Sequence, residues 1–446
     1  MKHRTLIESL ADGVEAVSWE HLPKQVQEKL KICIKDGLEC CLANKKDARG
    51  QAALASVMGR KGTSTLILEK QKVAAEEAAF YNTVKGSLTS RNDSSRTAIC
   101  HPGAIVIPAV LALAEENEAS GEAVLEAVLC GYETMICLGT ALQKAHINNA
   151  FRSTALVAAF GAAFASAKIL GLSNQQIASA GSFGCHFAGG VNEWAVSGTG
   201  EDVFQNGWGS RNGILAARLA AAGALGCPTI LEGKSGLLSA FGAVECVEEI
   251  EKGLKGNYGI LHIMHKPIDS CFMVQASCQA ALTIALKEGF DWKKIKAVDI
   301  FVPKQAKCYP GCDNTKIETY VQGIMSIQLG TASTLVDGSC EYIQWEPPFS
   351  EGVMEVLQKC KVHEDRNMTQ SFPRLQGSRV EVKMEDDSTD CCFIEDVRPL
   401  NHKEVGERFR KTSCMALGLE KAKELEEMLD YLEKQKNIIS MMEIMA

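Results

Sequence analysis

The order of apolar and polar residues divides the chain into a long helical part and a shorter stretch of alternating pattern. From Pro23 to Leu42 the apolar positions Val26, Leu30, Ile34, Leu38 and Leu42 recur every four residues, and Cys33 and Cys41 widen the row into one helix face. The spans Gly121 to Leu142 and Thr154 to Leu172 predict two more helices. LSNQQIASAGSF opens another, with Ser173 as N-cap and Gln176 three residues on, the spacing of a capping box. Residues 5–80 read mostly as helix, broken at Gly59 and Gly62, with STLILE as a strand or extended linker before a helix from Ala74 to Val84. Between Gly189 and Gly207 the periodicity fades, and Gly198 and Gly200 predict a mobile loop. The GTGED within it is no phosphate cradle, because its two carboxylates repel phosphate.

Beyond Lys266 the period changes. CFMVQASCQAALTIALKEG reads as helix, AVDIFVP as a strand, and RVEVKMEDDSTDCCFIEDV as two strands joined by the polar turn EDDS. These elements predict an α+β domain with a short antiparallel sheet over residues 266–397. From Asn401 the chain is helical again, with Glu and Lys paired at i,i+3 and i,i+4. The expected fold class is mainly α, with a large helical domain and this smaller α+β domain.

The chain's 446 residues, 46% hydrophobic and 23% charged, allow a large core and two domains. A net charge of −8 without a basic run argues against nucleic acid or an acidic membrane as partner. An anionic substrate then needs a local cationic pocket. MKHRTLIESLADGVEAV lacks the apolar core of a secretory signal, so the expected location is cytoplasmic. The most membrane-like stretch, Thr154 to Leu172, is built from Ala and Gly with Ser166 and Lys168 inside it, which suits close packing in a core. Eighteen cysteines fall in apolar patterns or adjacent pairs, as expected for reduced thiols. Cys308 and Cys312 of CYPGC come nearest to a ligand pair, and no third cysteine is spaced to complete a cluster site.

Candidate chemistry centres on RNDSSRTAICHPGAIVIPAVLALAE, Arg91 to Glu115, where a charged loop runs into His-Pro-Gly and then an apolar helix. Pro102 suits the first helical position, so His101 lies at a positive helix end, facing a loop with Arg91, Asp93 and Arg96. An imidazole there can donate or accept a proton near neutral pH; the competing reading is a residue that only ends the helix. His146 lies six residues before Arg152, and His186 reads as a core histidine bonded to backbone. His262 and His265 form H-x-x-H without a third metal ligand.

HPGAIVIPAVLALAE resembles the His-Pro-Ser/Gly segment of the MmgE/PrpD family, which includes 2-methylcitrate dehydratase, cis-aconitate decarboxylase and iminodisuccinate epimerase. RSTALVAAFGAAFASAKILGLSNQQIASA, GWGSRNGILAARLAAAGALGCPTILEGKSGLLSAF and KPIDSC agree in the same order. The resemblance implies a helical domain over 1–265 that the tail, 398–446, rejoins. It also implies a homodimer, no metal and no organic cofactor, and a proton abstracted next to a carboxylate of a small di- or tricarboxylate. His101 and Asp93 fall at catalytic positions, while Arg152 with Ser153, Asp202, Lys266 and Gln275 fall where substrate is bound.

Several of these positions differ from the family pattern. The Asp-Phe-Asp-Asp run is reduced to Asp93, Arg152 replaces a histidine, and Asp202 stands for a lysine. Gln205 and Gln275 stand for histidines and Leu329 for a tyrosine, while Ser326 is kept. Arginine cannot serve as a base but can grip a carboxylate through two parallel hydrogen bonds. The scaffold is thus retained around a changed pocket. A lyase, either dehydratase or decarboxylase, is the first reading, with an epimerase using Asp202 or His186 opposite His101 second. A family member that binds a ligand without turnover is the third.

Overall fold

The structure is a computed structural model, and it describes residues 4–446. The chain forms two compact units, one of residues up to 190 with 201–265 and 400–446, the other of 191–200 with 266–399.

The first unit is helical. It begins with α1 (Leu6–Ala16), α2 (Lys24–Leu42) and α3 (Ala48–Val57), followed by an antiparallel pair, β1 (Lys61–Thr65) and β2 (Lys72–Val73), and α4 (Ala75–Ser87). Next come α5 (Pro102–Glu116), α6 (Gly121–Lys144), α7 (Ser153–Ile169) and α8 (Asn174–Cys185). At the start of α8 the Gln176 carboxamide accepts from the Ser173 amide at 3.1 Å, as the capping-box spacing predicts.

In α5 every residue from Pro102 to Glu115 is buried, so it lies inside the bundle. Among the described residues helix α6, rather than the Thr154 to Leu172 stretch, is the one long and apolar enough to span a bilayer by composition, and it is mostly buried.

The segment expected to be an irregular loop instead contains α9 (Glu193–Ser197), closed by Gly198 at φ 79°, and belongs to the second unit. Helix α10 (Asp202–Ala221) returns to the first unit and packs on α7. A Cβ at Gly209 or Gly213 would collide with Ala158 or Ala162 of α7, so these glycines set how closely the two helices approach. Short helices α11 (Leu237–Ala240) and α12 (Val247–Glu251) follow.

In the second unit, α13 (Gln275–Ala285) is followed by β3 (Ile295–Val302), α14 (Lys304–Lys307), α15 (Tyr320–Met325), α16 (Ile327–Asp337), α17 (Glu351–Lys359), β4 (Cys360–Glu364), α18 (Arg366–Ser371), β5 (Ser378–Met384) and β6 (Thr389–Ile394). The strands form one sheet in the order β4-β3-β5-β6. Pairings β3–β5 and β5–β6 are antiparallel as expected, whereas β4 lies parallel to β3, with Val298 opposite Cys360, so the sheet is mixed. Val298, Ile300, Val380 and Val382 supply its buried face.

The tail, α19 (His402–Leu417), α20 (Leu419–Asp430) and α21 (Ile439–Ile444), rejoins the first unit, where α19 packs on α2. The 266–399 segment leaves and re-enters the first unit at neighbouring points, because His265 pairs with Leu400 in an antiparallel bridge.

Candidate active site

The loop ahead of α5 is held by main-chain pairing. Ser94 exchanges two hydrogen bonds with Met264, and Ser95 two with Cys100. His101 is the N-cap of α5, with Pro102 at the first helical position. Its Nδ1 lies 2.8 Å from the main-chain oxygen of Asp93 and 3.0 Å from Ser94 Oγ. A carbonyl oxygen only accepts, so Nδ1 carries the proton, and in the neutral ring Nε2 holds the lone pair.

Asp93 therefore meets the imidazole through its backbone, not its carboxylate. The carboxylate accepts from the Gly103 amide at 2.9 Å and the Tyr132 hydroxyl at 2.6 Å. Burial and the charge of Asp36 push its pKa up to about 7, against the opposing hydrogen bonds from Tyr132 and Gly103.

Two further helix starts meet this region. Ser153 Oγ donates to the Ala98 carbonyl at 2.6 Å, tying the first turn of α7 to the loop. Arg152, the N-cap of α7, is buried; its amide donates to Gly190 at 3.1 Å and its Nη1 to Asn206 Oδ1 at 2.6 Å. Its Nη2 lies 4.0 Å from Asp202 Oδ2 at the start of α10. Burial raises the pKa of Asp202, and the Arg152 charge works against it. That same charge acts on Cys100, the residue before His101. Within the first unit the structure thus brings His101, Asp93, Arg152, Ser153 and Asp202 to one region at the starts of α5, α7 and α10.

Lys266 and Gln275 belong to the second unit. Lys266 is buried and its Nζ donates to the Ser270 carbonyl at 3.2 Å. The carboxamide of Gln275, at the start of α13, accepts from the Ile268 amide at 3.2 Å and donates to the Ile268 carbonyl at 2.9 Å and Ser270 Oγ at 2.7 Å. It knits the 268–271 loop together.

The sequence reading missed a buried ionic chain along α2. Lys29 Nζ donates to the Ile263 carbonyl at 2.7 Å and lies 3.0 Å from His265 Nε2, and His265 Nδ1 is 3.2 Å from Asp36. Arg408 of α19 reaches Asp36 at 2.5 Å and Glu39 at 3.4 Å, and Arg91 reaches Glu39 at 2.9 Å. Burial would raise Asp36, yet His265, Arg408 and Lys29 outweigh it and hold the carboxyl below its usual range. Burial lowers the pKa of His265, against the opposing charge and hydrogen bond of Asp36. The available signal was Lys29 and Asp36, seven residues apart on one face of a largely apolar helix.

His265 is committed to this chain and His262 is exposed, so the H-x-x-H pair splits. Among the described residues no three His, Cys, Asp or Glu side chains gather at metal-binding distances. His186 is not the expected core histidine: it ends α8 as its C-cap and is exposed, as is His146.

The arrangement is that of a helical scaffold presenting an oriented imidazole beside a buried guanidinium, with a smaller α+β unit inserted in the chain. The MmgE/PrpD N-terminal domain matches residues 8–248 and the MmgE/PrpD C-terminal domain residues 269–434, and the chain belongs to the MmgE/PrpD family. It is similar to the cis-aconitate decarboxylase of Aspergillus terreus, 24% identical over 96% of this chain and 93% of that one. It is also similar to a cis-aconitate decarboxylase-like protein, oryM, of Aspergillus oryzae, 23% identical over 98% of this chain and 96% of the relative.

Proposed function

We propose that this protein is a lyase, a dehydratase or decarboxylase, that moves a proton α to a carboxylate of a small di- or tricarboxylate without a cofactor. The observation that carries the reading is His101, whose Nδ1–H is fixed on the Asp93 carbonyl at the N-terminus of α5. In a dehydration that bond selects the tautomer whose Nε2 takes the α-proton, and the resulting imidazolium returns it to the leaving hydroxyl; in a decarboxylation no proton is taken first, and the protonated ring supplies one to the carbanion left by carbon dioxide. Arg152 holds a substrate carboxylate, and Ser153 orients it. Asp93 positions the histidine. The cis-aconitate decarboxylases among the relatives support this class of substrate.

Asp202 favours a second reading. A half-buried carboxyl with a raised pKa beside Arg152 is suited to return a proton to the opposite face, which would make the enzyme an epimerase. A homodimer belongs to the proposal as well: Trp208, Leu215 and Leu219 lie exposed along α10, and light scattering on the purified protein tests it.

The deciding experiment is proton NMR in deuterium oxide with a panel of di- and tricarboxylates, comparing the protein with His101→Ala. Deuterium entering an α-position together with loss of water or carbon dioxide, absent in the variant, supports a lyase. Deuterium entering with inversion alone supports the epimerase. No exchange with any acid, despite thermal stabilisation by one of them, overturns both and leaves a binding protein.

A further inference from the structure

All eighteen cysteines are thiols, and ten of them are buried. Two, distant in sequence, meet through their side chains. Cys271, half-buried, and Cys312, buried, have their thiols in hydrogen-bond contact, although 40 residues of chain separate them. The main chain fixes this meeting independently. The Cys271 amide donates to the Ile324 carbonyl at 2.9 Å, and the Cys312 carbonyl accepts from the Ile327 amide at 3.0 Å, so both cysteine segments are anchored on the same four-residue stretch between α15 and α16. Gly311, at φ 83°, lets the chain turn before Cys312 where a Cβ would meet the Ala195 carbonyl at 2.8 Å. Cys308, the other cysteine of CYPGC, is exposed and is not the partner.

The two thiols have unequal chemistry. Cys312 holds its proton strongly, through the contact with Cys271 and through burial. Cys271 is half-buried at the entry to the helical turn Phe272–Val274 and is the more accessible of the two. An accessible attacking thiol backed by a buried second thiol is the arrangement that resolves an oxidised cysteine into a disulfide.

We propose that Cys271 and Cys312 form a reversible thiol–disulfide site whose reaction partner is a small disulfide such as oxidised glutathione. Cys271 thiolate attacks one sulfur of that disulfide and expels a glutathione thiolate, leaving a mixed disulfide. Cys312 then gives up its proton, attacks the Cys271 sulfur and expels the second glutathione thiolate. Two protein thiols are oxidised and one small disulfide is reduced to two thiols, which take up the two protons that the cysteines lose. The bond closes the 268–275 loop, since Cys271 directly follows Ser270, whose carbonyl holds Lys266 Nζ and whose hydroxyl holds Gln275. The proposal does not depend on the reaction assigned above.

The test titrates the reduced full-length protein with oxidised glutathione, blocks remaining thiols with N-ethylmaleimide, and maps cysteine linkages in an unreduced digest by mass spectrometry. The expected result is a peptide pair joined through Cys271 and Cys312 that appears before any other cross-link and is lost with dithiothreitol. Cys312→Ser should then accumulate glutathione on Cys271, and Cys271→Ser should leave Cys312 unmodified. Cys271 and Cys312 both alkylated after oxidation of the wild-type protein, or Cys312 joined to Cys308 instead, would overturn the proposal without recourse to any variant.

Discussion

Asp93→Asn isolates what the buried carboxyl does, because asparagine keeps both hydrogen bonds: its oxygen accepts from the Gly103 amide and its amide donates to the Tyr132 hydroxyl. What it removes is the titration. In the folded protein Asp93 has a pKa of about 7, against the ordinary carboxylate value of 3.8. The folded state therefore binds the proton more tightly than the unfolded chain. This group's contribution to stability is complete below pH 4 and is lost as pH rises through 7. Integrated from pH 5 to pH 8, the loss is about 2.5 kcal/mol. For a chain of 446 residues the unfolding entropy is about 0.9 kcal/mol per kelvin, so the melting temperature should fall by about 3 °C more in the wild type than in Asp93→Asn over that range. Differential scanning fluorimetry of the two proteins in matched buffers reads this difference of differences, in which all other titrations cancel. Parallel curves would show that Asp93 is already ionised at pH 5, and the account of a burial-raised carboxyl would fail.

Three other substitutions probe the same scaffold. Glu133 accepts from the Gly259 and Ile260 amides at 2.8 Å each, so Glu133→Ala, which strands one buried and one half-buried donor, should cost about 2–3 kcal/mol in urea unfolding, while Glu133→Gln should cost much less. Arg408→Met leaves Asp36 and Glu39 facing each other without their shared cation and should destabilise by about 3–5 kcal/mol by the same measurement. Arg152→Ala should raise KM by about tenfold or more for a carboxylate substrate, and an unchanged KM would remove its binding role.

Regular periodicity was legible. The i,i+4 row of α2, the apolar run of α6 and the alternation of β3, β5 and β6 each became the expected element, because burial on one face writes itself into the residue order. What depended on distant partners was not. The parallel strand β4 is five residues, CKVHE, and exists as a strand because Cys360 to Glu364 pair with Val298 to Val302. His186 looked internal because its neighbours are small and apolar, yet α8 ends one residue earlier and turns the ring outward. At the site, the His-Pro junction was visible because proline and histidine mark a helix start locally. Tyr132 was invisible as Asp93's partner because a tyrosine in an apolar helix carries no sign of the carboxyl 39 residues away that its hydroxyl meets.

The pairing of His265 with Leu400 has a topological consequence. Residues opposite each other in an antiparallel pair have Cα atoms about 5 Å apart, a gap that a tight turn can bridge. A tight turn could therefore rejoin the first unit across an excised 266–399 segment, whereas residues 191–200 of the second unit are supplied by a separate excursion of the chain. The last 47 residues, which supply Arg408 to the carboxylates of α2, should likewise dock as a separate peptide onto a chain that stops at Pro399, restoring the missing counter-charge in trans.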